Sequence, residues 1–293
     1  MADTGVVLVA GATGNIGSGL VPALRAAGVS VRVLVRDESK AQPLRDQGAE
    51  VVLGDLDRPE TLDMAVAGAS KIVLLTWNGP TAAQQASNLI QAAKRAGRPR
   101  IVRISGFGSE KSRIIKHHVM VDEELRASGL PYTILRPTFF MQNVMMAAQT
   151  VATDGMVYMP FKNGKVGMID VRDIVDVAVR VLTSDGHDGK SYILTGPQSV
   201  SFHDVAAALS TALGKKVQYV DVPLEAGKQA MMGLGMPEWI ADGFVELLDE
   251  FARDWGDRVS PHVEKITGRP GRSIDQFARD FAPVFGGNLV AVG

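Results

Sequence analysis

The first half of the chain alternates short apolar runs with longer stretches in which apolar residues recur at helical spacing. Such short runs are typical of strands buried in a parallel sheet, and the stretches between them are typical of amphipathic helices. We predict strands at residues 6–9, 29–35, 49–53, 71–75, 100–104 and 132–136. Strands and helices in this order, joined by short connections, predict an α/β fold: a Rossmann-type, doubly wound parallel sheet with right-handed crossovers.

The pattern changes after residue 155. Residues 156–159 and 165–168 are predicted as short strands around a turn at Asn163 and Gly164. Asp170 is expected to cap a helix that runs to residue 182, and Ser201 to cap a helix that ends near residue 213. Further strands are predicted at residues 191–194 and 216–220, and helices beyond Pro223.

These patterns predict two domains and a tail. Residues 1–154 are expected to form the nucleotide-binding domain, and residues 155–286 a smaller, mostly helical substrate domain that is partly interleaved with it. A strand from the region of residues 165–195 is expected to return to the main sheet. The substrate domain is expected to form a cleft against that sheet, and residues 287–293 are predicted to be a loose tail.

Three glycines follow the first predicted strand at three-residue spacing, within the sequence VVLVAGATGNIG. Gly11 would allow a sharp turn, Gly14 would let the backbone approach a ligand, and Gly17 would let the following helix pack close to the strand. Amides at such a helix N-terminus bind a diphosphate, and the helix dipole favours its negative charge. The residues expected to hold the diphosphate are Gly11, Ala12, Thr13, Gly14, Asn15, Ile16 and Gly17.

The second predicted strand ends at Arg36, with Asp37 next and Lys40 close behind. In this fold, an acidic residue at the strand end binds the ribose hydroxyl of NAD, whereas an Arg accommodates the 2′-phosphate of NADP. A guanidinium that forks onto a phosphate explains Arg36 better than a solvated strand end does. We therefore predict NADP as the cofactor, bound by Arg36 and Lys40.

Composition narrows the classes of function. The chain has 293 residues, a formal net charge of -1 and no cysteine. The absence of a basic tract argues against nucleic acid as a partner, and the absence of cysteine excludes disulfides and thiol catalysis. The histidines form no metal pattern, and the first residues lack the features of a signal peptide. No apolar run reaches the ~20 residues of a membrane span, so we expect a cytoplasmic protein that binds neither metal nor membrane.

The GxxGxxG spacing resembles that of the short-chain dehydrogenase/reductase superfamily, in its extended or atypical branch. In that superfamily, an Asp and an apolar residue after the third strand contact the adenine. The resemblance therefore implies that Asp55 and Leu56 contact the cofactor. Alternatively, or in addition, Asp55 closes a turn before the helix that begins near Pro59. Loops at the carboxyl ends of later strands face the cofactor, which adds Thr76 and Ser105.

One expected element of the superfamily is missing. Ser105 matches the catalytic Ser, but the next helix lacks the Tyr-x-x-x-Lys in which the Lys lowers the pKa of a Tyr acid. By the superfamily's pattern, Ile114 falls near the Tyr position and His118 near the Lys position. His118 is our candidate for a protein acid, because its ordinary pKa lies near neutrality. The alternative is an ordinary, partly exposed helical His.

Several motifs together resemble those of a narrower group. They are His-x-x-x-acid followed by a serine-glycine turn and TILRP, the sequence GATGNIG, the Arg36 strand end and the sequence TGRPGRSIDQFARD. This is the NmrA-like family of atypical short-chain dehydrogenases, and within it the bacterial type 2 quinone oxidoreductases and triphenylmethane reductases. The resemblance covers essentially the whole chain. It implies that the loop after the sixth strand closes over the nicotinamide, with Pro137, Thr138 and Phe139 as contacts of the cofactor or acceptor.

These observations predict an NADPH-dependent oxidoreductase that transfers hydride to a quinone-like or other conjugated small molecule. A delocalised acceptor can be protonated later by solvent, so the missing Tyr is compatible with this chemistry. The methionines after Met141 and Met231 are either core residues or the lining of an adaptable pocket for flat acceptors. The alternative function is a non-catalytic, NADP-binding redox sensor. A sugar-nucleotide epimerase or dehydratase would need the missing Tyr, and a monomer or homodimer is expected.

Overall fold

The computed structural model describes residues 5–287 of the chain. The prediction that there is no signal peptide concerns the first residues of the chain, and residues 1–4 lie outside the described residues. Residues 288–293 of the predicted tail also lie outside them. The described residues fall into two compact units. The first comprises residues up to Gly106, His117–Arg136 and Ile174–Tyr192, and the second comprises Phe107–Lys116, Pro137–Asp173 and residues from Ile193 onward.

The described residues form nine strands. They are β1 (Val6–Ala10), β2 (Ser30–Val35), β3 (Glu50–Leu53), β4 (Ala69–Leu74), β5 (Arg100–Ile104), β6 (Tyr132–Pro137), β7 (Met156–Met159), β8 (Lys190–Leu194) and β9 (Gln218–Asp221). The strands predicted in the first half of the chain are therefore confirmed to within two residues. The strands predicted at residues 191–194 and 216–220 are confirmed as β8 and β9.

The same residues contain thirteen α-helices and three short 3-10 helices. The α-helices are α1 (Gly17–Ala26), α2 (Gln42–Asp46), α3 (Leu62–Val66), α4 (Ala82–Arg95), α5 (Arg113–Ala127), α6 (Ala148–Thr153), α7 (Val171–Thr183), α8 (Phe202–Leu213), α9 (Leu224–Gly233), α10 (Glu238–Phe251), α11 (His262–Thr267), α12 (Ile274–Asp280) and α13 (Ala282–Phe285). The 3-10 helices are Glu38–Lys40, Pro59–Thr61 and Met141–Ala147.

Seven of the described strands form one sheet, in the order β3-β2-β1-β4-β5-β6-β8. The pairs from β3 through β6 are all parallel. Helices connect these strands, as parallel pairing requires. Because β1 pairs with β2 on one side and with β4 on the other, the strand order reverses beside β1. Ligands in open α/β sheets bind outside the carboxyl ends of the strands at such a point.

The interior of the first unit consists of the apolar strand residues and the helix faces that cover them. Leu8, Ile72, Ile101 and Ile134, one from each of four strands of the sheet, are fully buried in one cluster. A strand covered on both faces reads as a continuous apolar run, which is why these segments could be recognised in the sequence.

The second unit contains a small two-stranded sheet of β7 and β9 and an aromatic core. Phe161 and Phe202 lie edge to face with ring centroids 4.9 Å apart, and the ring of Phe139 lies 6.1 Å from Phe161 and 6.3 Å from Phe202. These three rings are at most 3% exposed. Edge-to-face packing of buried rings stabilises such a core beyond the burial of area alone.

Both helix caps predicted in the second half of the chain are confirmed. The Asp170 carboxylate accepts a hydrogen bond from the amide of Arg172, in the first turn of α7, at 2.9 Å. Ser201 and Asp204 form a capping box at the start of α8. Each side chain satisfies an amide that the first turn of a helix leaves without a partner.

Of the two strands predicted around Asn163 and Gly164, the one at residues 156–159 is confirmed and the one at residues 165–168 is wrong. Residues 156–159 form β7, but β7 pairs in parallel with β9, and residues 165–168 contribute only an isolated bridge between Val166 and Val200. The apolar residues of that segment are fully buried in the core of the second unit. The alternation that resembled a strand therefore reflects burial of the segment and not a sheet partner.

Candidate functional site

The segment between β1 and α1 forms the tight turn that the glycine spacing predicted. Gly11 has a φ of +81°, and a Cβ on it would lie 2.7 Å from the carbonyl oxygen of Leu75. A Cβ on Gly17 would lie 2.1 Å from the carbonyl oxygen of Gly11. Gly17 is therefore required because the start of α1 packs on the turn itself, a closer reason than the helix-to-strand packing we predicted.

Gly14 differs from the other two glycines of the turn. A Cβ on Gly14 would meet no protein atom closer than 3.6 Å, and Gly14 is exposed together with Thr13 and Asn15. The protein itself therefore leaves room for a side chain at this position. The open space is what a ligand that approaches the backbone would occupy.

The N-terminus of α1 suits an anion. Ile16 precedes the helix without a side-chain cap, and the first turn of α1 contains no acidic residue. Ala12 and Ile16 are buried and hold the turn from below, at 1% and 4% exposure. The amides of the first turn and the positive end of the helix dipole are thus open to an anion such as a phosphate group. These residues fit the diphosphate of a dinucleotide.

The loop after β4 lines the same point of the sheet, because Leu75 contacts Gly11. Thr76 is half-buried, and Trp77 is 50% exposed. A Cβ on Gly79 would lie 2.2 Å from the Trp77 ring, so the ring rests against the glycine backbone. The loop thus presents a hydroxyl and an exposed aromatic face beside the glycine turn.

Arg36 and Lys40 lie where the sequence placed them, beyond the end of β2, and both are exposed. The neighbouring carboxylate of Asp37 accepts a hydrogen bond from the amide of Ser39 at 2.8 Å and caps the Glu38–Lys40 helix. This hydrogen bond, first of all, lowers the pKa of Asp37. Within residues 5–287, no carboxylate pairs with the Arg36 guanidinium, which is free to meet a phosphate.

Asp55 and Leu56 follow β3 and are half-buried. The Asp55 carboxylate accepts a hydrogen bond from the amide of Asp57 at 3.0 Å, and the backbone carbonyl of Asp55 accepts one from the amide of Arg58. The turn-closing role that we considered for Asp55 is therefore present. Its second carboxylate oxygen can still face a base, since a carboxylate has about four acceptor positions.

Ser105, at the carboxyl end of β5, is 5% exposed and donates its hydroxyl proton to the Asp122 carboxylate at 2.9 Å. Asp122 lies on α5, and its other oxygen is buried without a hydrogen-bond partner in the described part of the chain. Burial raises the pKa of Asp122, against the nearby positive charges of Arg103 and Arg136. Ser105 is thus tied to a buried acid and is not a free hydroxyl.

His118 accepts a hydrogen bond from Arg103, whose Nη2 lies 2.9 Å from the His118 Nδ1. A guanidinium can only donate, so Nδ1 must be unprotonated and the neutral ring carries its proton on Nε2. Desolvation and the positive charge of Arg103 hold the pKa of His118 well below its ordinary value. A neutral His118 can donate a hydrogen bond from Nε2, but it carries no readily released proton.

The loop after β6 is buried. Thr138, at 4% exposure, donates its hydroxyl proton to the carbonyl of Gly167, while Phe139 belongs to the aromatic core. The Pro137 carbonyl accepts a hydrogen bond from the amide of Phe107 at 2.8 Å. Any contact of these residues with a ligand would therefore come from their backbone or from the edge of Pro137 and not from the Phe139 ring.

Comparison with known proteins identifies the family of the chain. The sequence profile of the NmrA-like family matches residues 3–268. The chain belongs to the NmrA-like family. It is 42% identical, over 96% of its length and 99% of the relative's, to the NAD(P)H azoreductase of Xenophilus azovorans.

Two solved structures resemble the chain over 94% of its length and 99% of theirs. The triphenylmethane reductase of a Citrobacter species, complexed with NADP(H), is 28% identical with a TM-score of 0.83. The NADPH-dependent quinone oxidoreductase of Escherichia coli, complexed with NADPH, is 25% identical with a TM-score of 0.85. The fold of this NmrA-like chain is therefore the predicted Rossmann type.

Two hydrogen-bonded pairs, Ser105 with Asp122 and Arg103 with His118, therefore join β5 to α5. Ile114, at the expected Tyr position, is 5% exposed and packs against Gly243. Arg103 was missed by the sequence analysis, because its place in RIVRI gave no sign that it is 1% exposed. The acid of the His-x-x-x-acid pattern was the one available signal for Asp122.

No group of three or more His, Cys, Asp or Glu side chains in residues 5–287 could hold a metal ion. None of the described helices combines the length and the hydropathy needed to cross a membrane.

Proposed function

We propose that the chain is an NADPH-dependent reductase that transfers hydride to a quinone-like, azo or other conjugated acceptor. The observation that carries the proposal is the open N-terminus of α1 at the strand crossover, where Gly14 leaves room that a bound diphosphate would fill. Relatives that share the fold over nearly their whole length are named as NAD(P)H-dependent reductases or were solved with NADPH. Their names supply the acceptor class.

Each part of the dinucleotide has a partner in this arrangement. The turn from Gly11 to Gly17 binds the diphosphate, and Arg36 with Lys40 binds the 2′-phosphate. Asp55 and Leu56 contact the adenine. Thr76, Ser105 and Pro137 orient the nicotinamide end. When it is bound, the reduced nicotinamide supplies the hydride.

The polar residues near that end bind and orient rather than donate a proton. Ser105 donates its hydroxyl proton to Asp122, and desolvation together with the charge of Arg103 keeps His118 neutral by lowering its pKa. A conjugated acceptor spreads the charge that it gains over several atoms, so it does not require a positioned acid during hydride transfer, and solvent completes the protonation. An isolated ketone would lose the roughly 10²- to 10⁴-fold that such an acid contributes.

The test is oxidation of NADPH by the purified protein with a panel of quinones, azo dyes and triphenylmethane dyes, alongside a titration of NADP⁺ binding. We expect tight binding and turnover with at least one class of acceptor. Tight NADP⁺ binding without turnover on any acceptor would instead support the non-catalytic sensor. No binding of either nicotinamide coenzyme would rule out both functions.

A further inference from the structure

One arginine of the second unit is held over two aromatic rings. The guanidinium carbon of Arg258 lies 5.0 Å from the ring centroid of Phe107 and 5.5 Å from that of Trp255. The centroids of these two rings are 5.0 Å apart, with an angle of 40° between the ring planes. Phe107 is 8% exposed, whereas the Arg258 side chain is exposed. The rings therefore hold the face of the guanidinium and leave its N–H edge towards solvent.

Arg258 differs from five other arginines of the second unit because no carboxylate in residues 5–287 pairs with its guanidinium. Five other arginines of the same unit each have a carboxylate within 3.1 Å; they are Arg113, Arg172, Arg253, Arg269 and Arg272. The nearest acids in the sequence do not compensate Arg258 either: Asp254 accepts the amide of Lys165, and Asp257 is exposed. Arg258 is thus a localised cation with unused donors.

The backbone that carries Arg258 is fixed. Its amide donates to the carbonyl of Gly256 at 2.8 Å, and that carbonyl also accepts the amide of Gly167 at 3.2 Å. A Cβ on Gly167 would lie 2.4 Å from the Arg258 carbonyl oxygen, and the amide of Ser260 donates to the Thr195 hydroxyl at 2.9 Å. These contacts therefore fix the backbone of Arg258, and the two rings fix its guanidinium.

The same contacts place this group at the carboxyl ends of β5 and β6. The amide of Phe107 donates to the Pro137 carbonyl, and the Thr138 hydroxyl donates to the Gly167 carbonyl that neighbours the Arg258 backbone. The loop of Pro137 and Thr138 is the one we expect at the nicotinamide end. Phe107, Pro137, Gly167 and Arg258 all belong to the second unit, so Arg258 lies beside the loop that we expect an acceptor to contact.

We propose that Arg258, held on Phe107 and Trp255, is a specificity-determining residue that binds an anionic substituent, a carboxylate or sulfonate, on an aromatic acceptor. The guanidinium presents a fork of N–H donors that matches either anion, and the aromatic rings beneath it reduce the entropy lost when it binds. The inference rests on the proposed function, because it concerns the acceptor of that reaction.

The first test measures binding without turnover. The NADP⁺-loaded protein is titrated with naphthalene sulfonate and with the uncharged naphthalene sulfonamide, which has nearly the same shape. We expect the sulfonate to bind about tenfold more tightly, since hydrogen bonds between charged groups are stronger than those of a neutral sulfonamide. The preference should fall as salt is added, because the charges are exposed. Equal affinities in the wild-type protein would overturn the inference without any variant.

The second test uses variants and turnover. In Arg258→Gln we expect a roughly tenfold higher KM for a naphthoquinone sulfonate, with little change for the parent naphthoquinone. Arg258→Lys should retain part of the preference, because it keeps the charge and loses the flat stack. Arg279→Gln, an exposed arginine of α12, makes the same change in net charge and should alter neither KM.

The two hypotheses fail in different ways. If Arg258→Gln raises both KM values alike, or neither, the inference about the substituent is wrong while the reductase stands. If the wild-type protein fails to oxidise NADPH with the uncharged naphthoquinone and with every other acceptor of the panel, the proposed function itself is wrong.

Discussion

We expect the choice between NADP and NAD to depend on one exposed guanidinium, Arg36, which lies at the end of β2 without a carboxylate partner in the described residues. A guanidinium that can bind a phosphate dianion with two parallel hydrogen bonds gains more from NADP than from NAD. The carboxylate of the neighbouring Asp37 caps the Glu38–Lys40 helix. The position and the unpaired charge of Arg36 therefore favour NADP over NAD.

We predict that Arg36→Gln weakens NADP⁺ binding by about tenfold to a hundredfold, since hydrogen bonds to charged groups contribute about 1.5–3 kcal/mol. NAD⁺ binding should stay within about twofold, because NAD lacks the phosphate. Titration of both coenzymes by calorimetry checks this. Arg95→Gln on α4, where the wild-type Arg pairs with Asp63, is the matched control for charge and should change neither affinity. Equal weakening of both coenzymes by Arg36→Gln would contradict the assignment.

A second residue-scale prediction concerns His118, whose pKa Arg103 and desolvation hold well below 6.5. The unfolded chain binds a proton at His118 below about pH 6.5 and the folded protein does not, so this residue lowers the unfolding free energy as the pH falls through that value. In His118→Asn, the loss between about pH 7.5 and pH 5.5 should be smaller. Urea unfolding at the two pH values measures it. A kcat that falls as the pH rises through about 6.5, in the wild type only, would instead identify His118 as an acid.

At the scale of elements, the turn before α1 assigns two roles of a glycine motif to different residues. One role is close packing within the protein, and the other is room for a ligand. Gly17→Ala would place a Cβ 2.1 Å from the Gly11 carbonyl oxygen, whereas Gly14→Ala would meet nothing closer than 3.6 Å. We predict that Gly17→Ala lowers the unfolding free energy by about 2 kcal/mol or more, through overpacking.

Gly14→Ala should change the unfolding free energy by no more than about 0.5 kcal/mol, as expected of an exposed site, but weaken NADP⁺ binding by about tenfold, because its methyl group occupies the space of the ligand. Urea unfolding without cofactor and a separate NADP⁺ titration distinguish the two effects. A Gly14→Ala protein with unchanged affinity would mean that the diphosphate lies elsewhere.

The elements also show what the sequence could reveal. Buried strands are largely apolar runs, so β1, β2, β4, β5 and β6 could be recognised without knowing their partners. Residues 165–168 carry a similar pattern, but their burial comes from the core of the second unit, and β7 finds its partner β9 beyond α8. Pairing across such a distance leaves no local signal. The burial of Arg103 leaves none either, because an arginine is rarely fully buried and the run RIVRI does not show which residues will cover it.

At the scale of the whole molecule, the tyrosines explain which reactions the chain can support. All four lie among the described residues, and none is at the site where the superfamily carries its acid. Tyr132 is at the amino end of β6, and Tyr158 is 43% exposed on β7. Tyr192 bonds to His187, and Tyr219 donates its hydroxyl proton to the Met159 carbonyl. Together with a neutral His118, this distribution leaves neither a tyrosine nor a protonated histidine at that site in the described residues.

This absence predicts a separation of isotope effects. NADPH deuterated at the nicotinamide C4 should slow single-turnover reduction of a naphthoquinone, whereas D₂O should leave that rate nearly unchanged, because protonation follows hydride transfer. Isolated ketones of similar size should react at least about a hundredfold more slowly, since they need the acid during the transfer. A large solvent isotope effect on quinone reduction would require a proton donor in the transition state. Asp122, with its raised pKa and its bond to Ser105, would then be the first residue to replace with Asn.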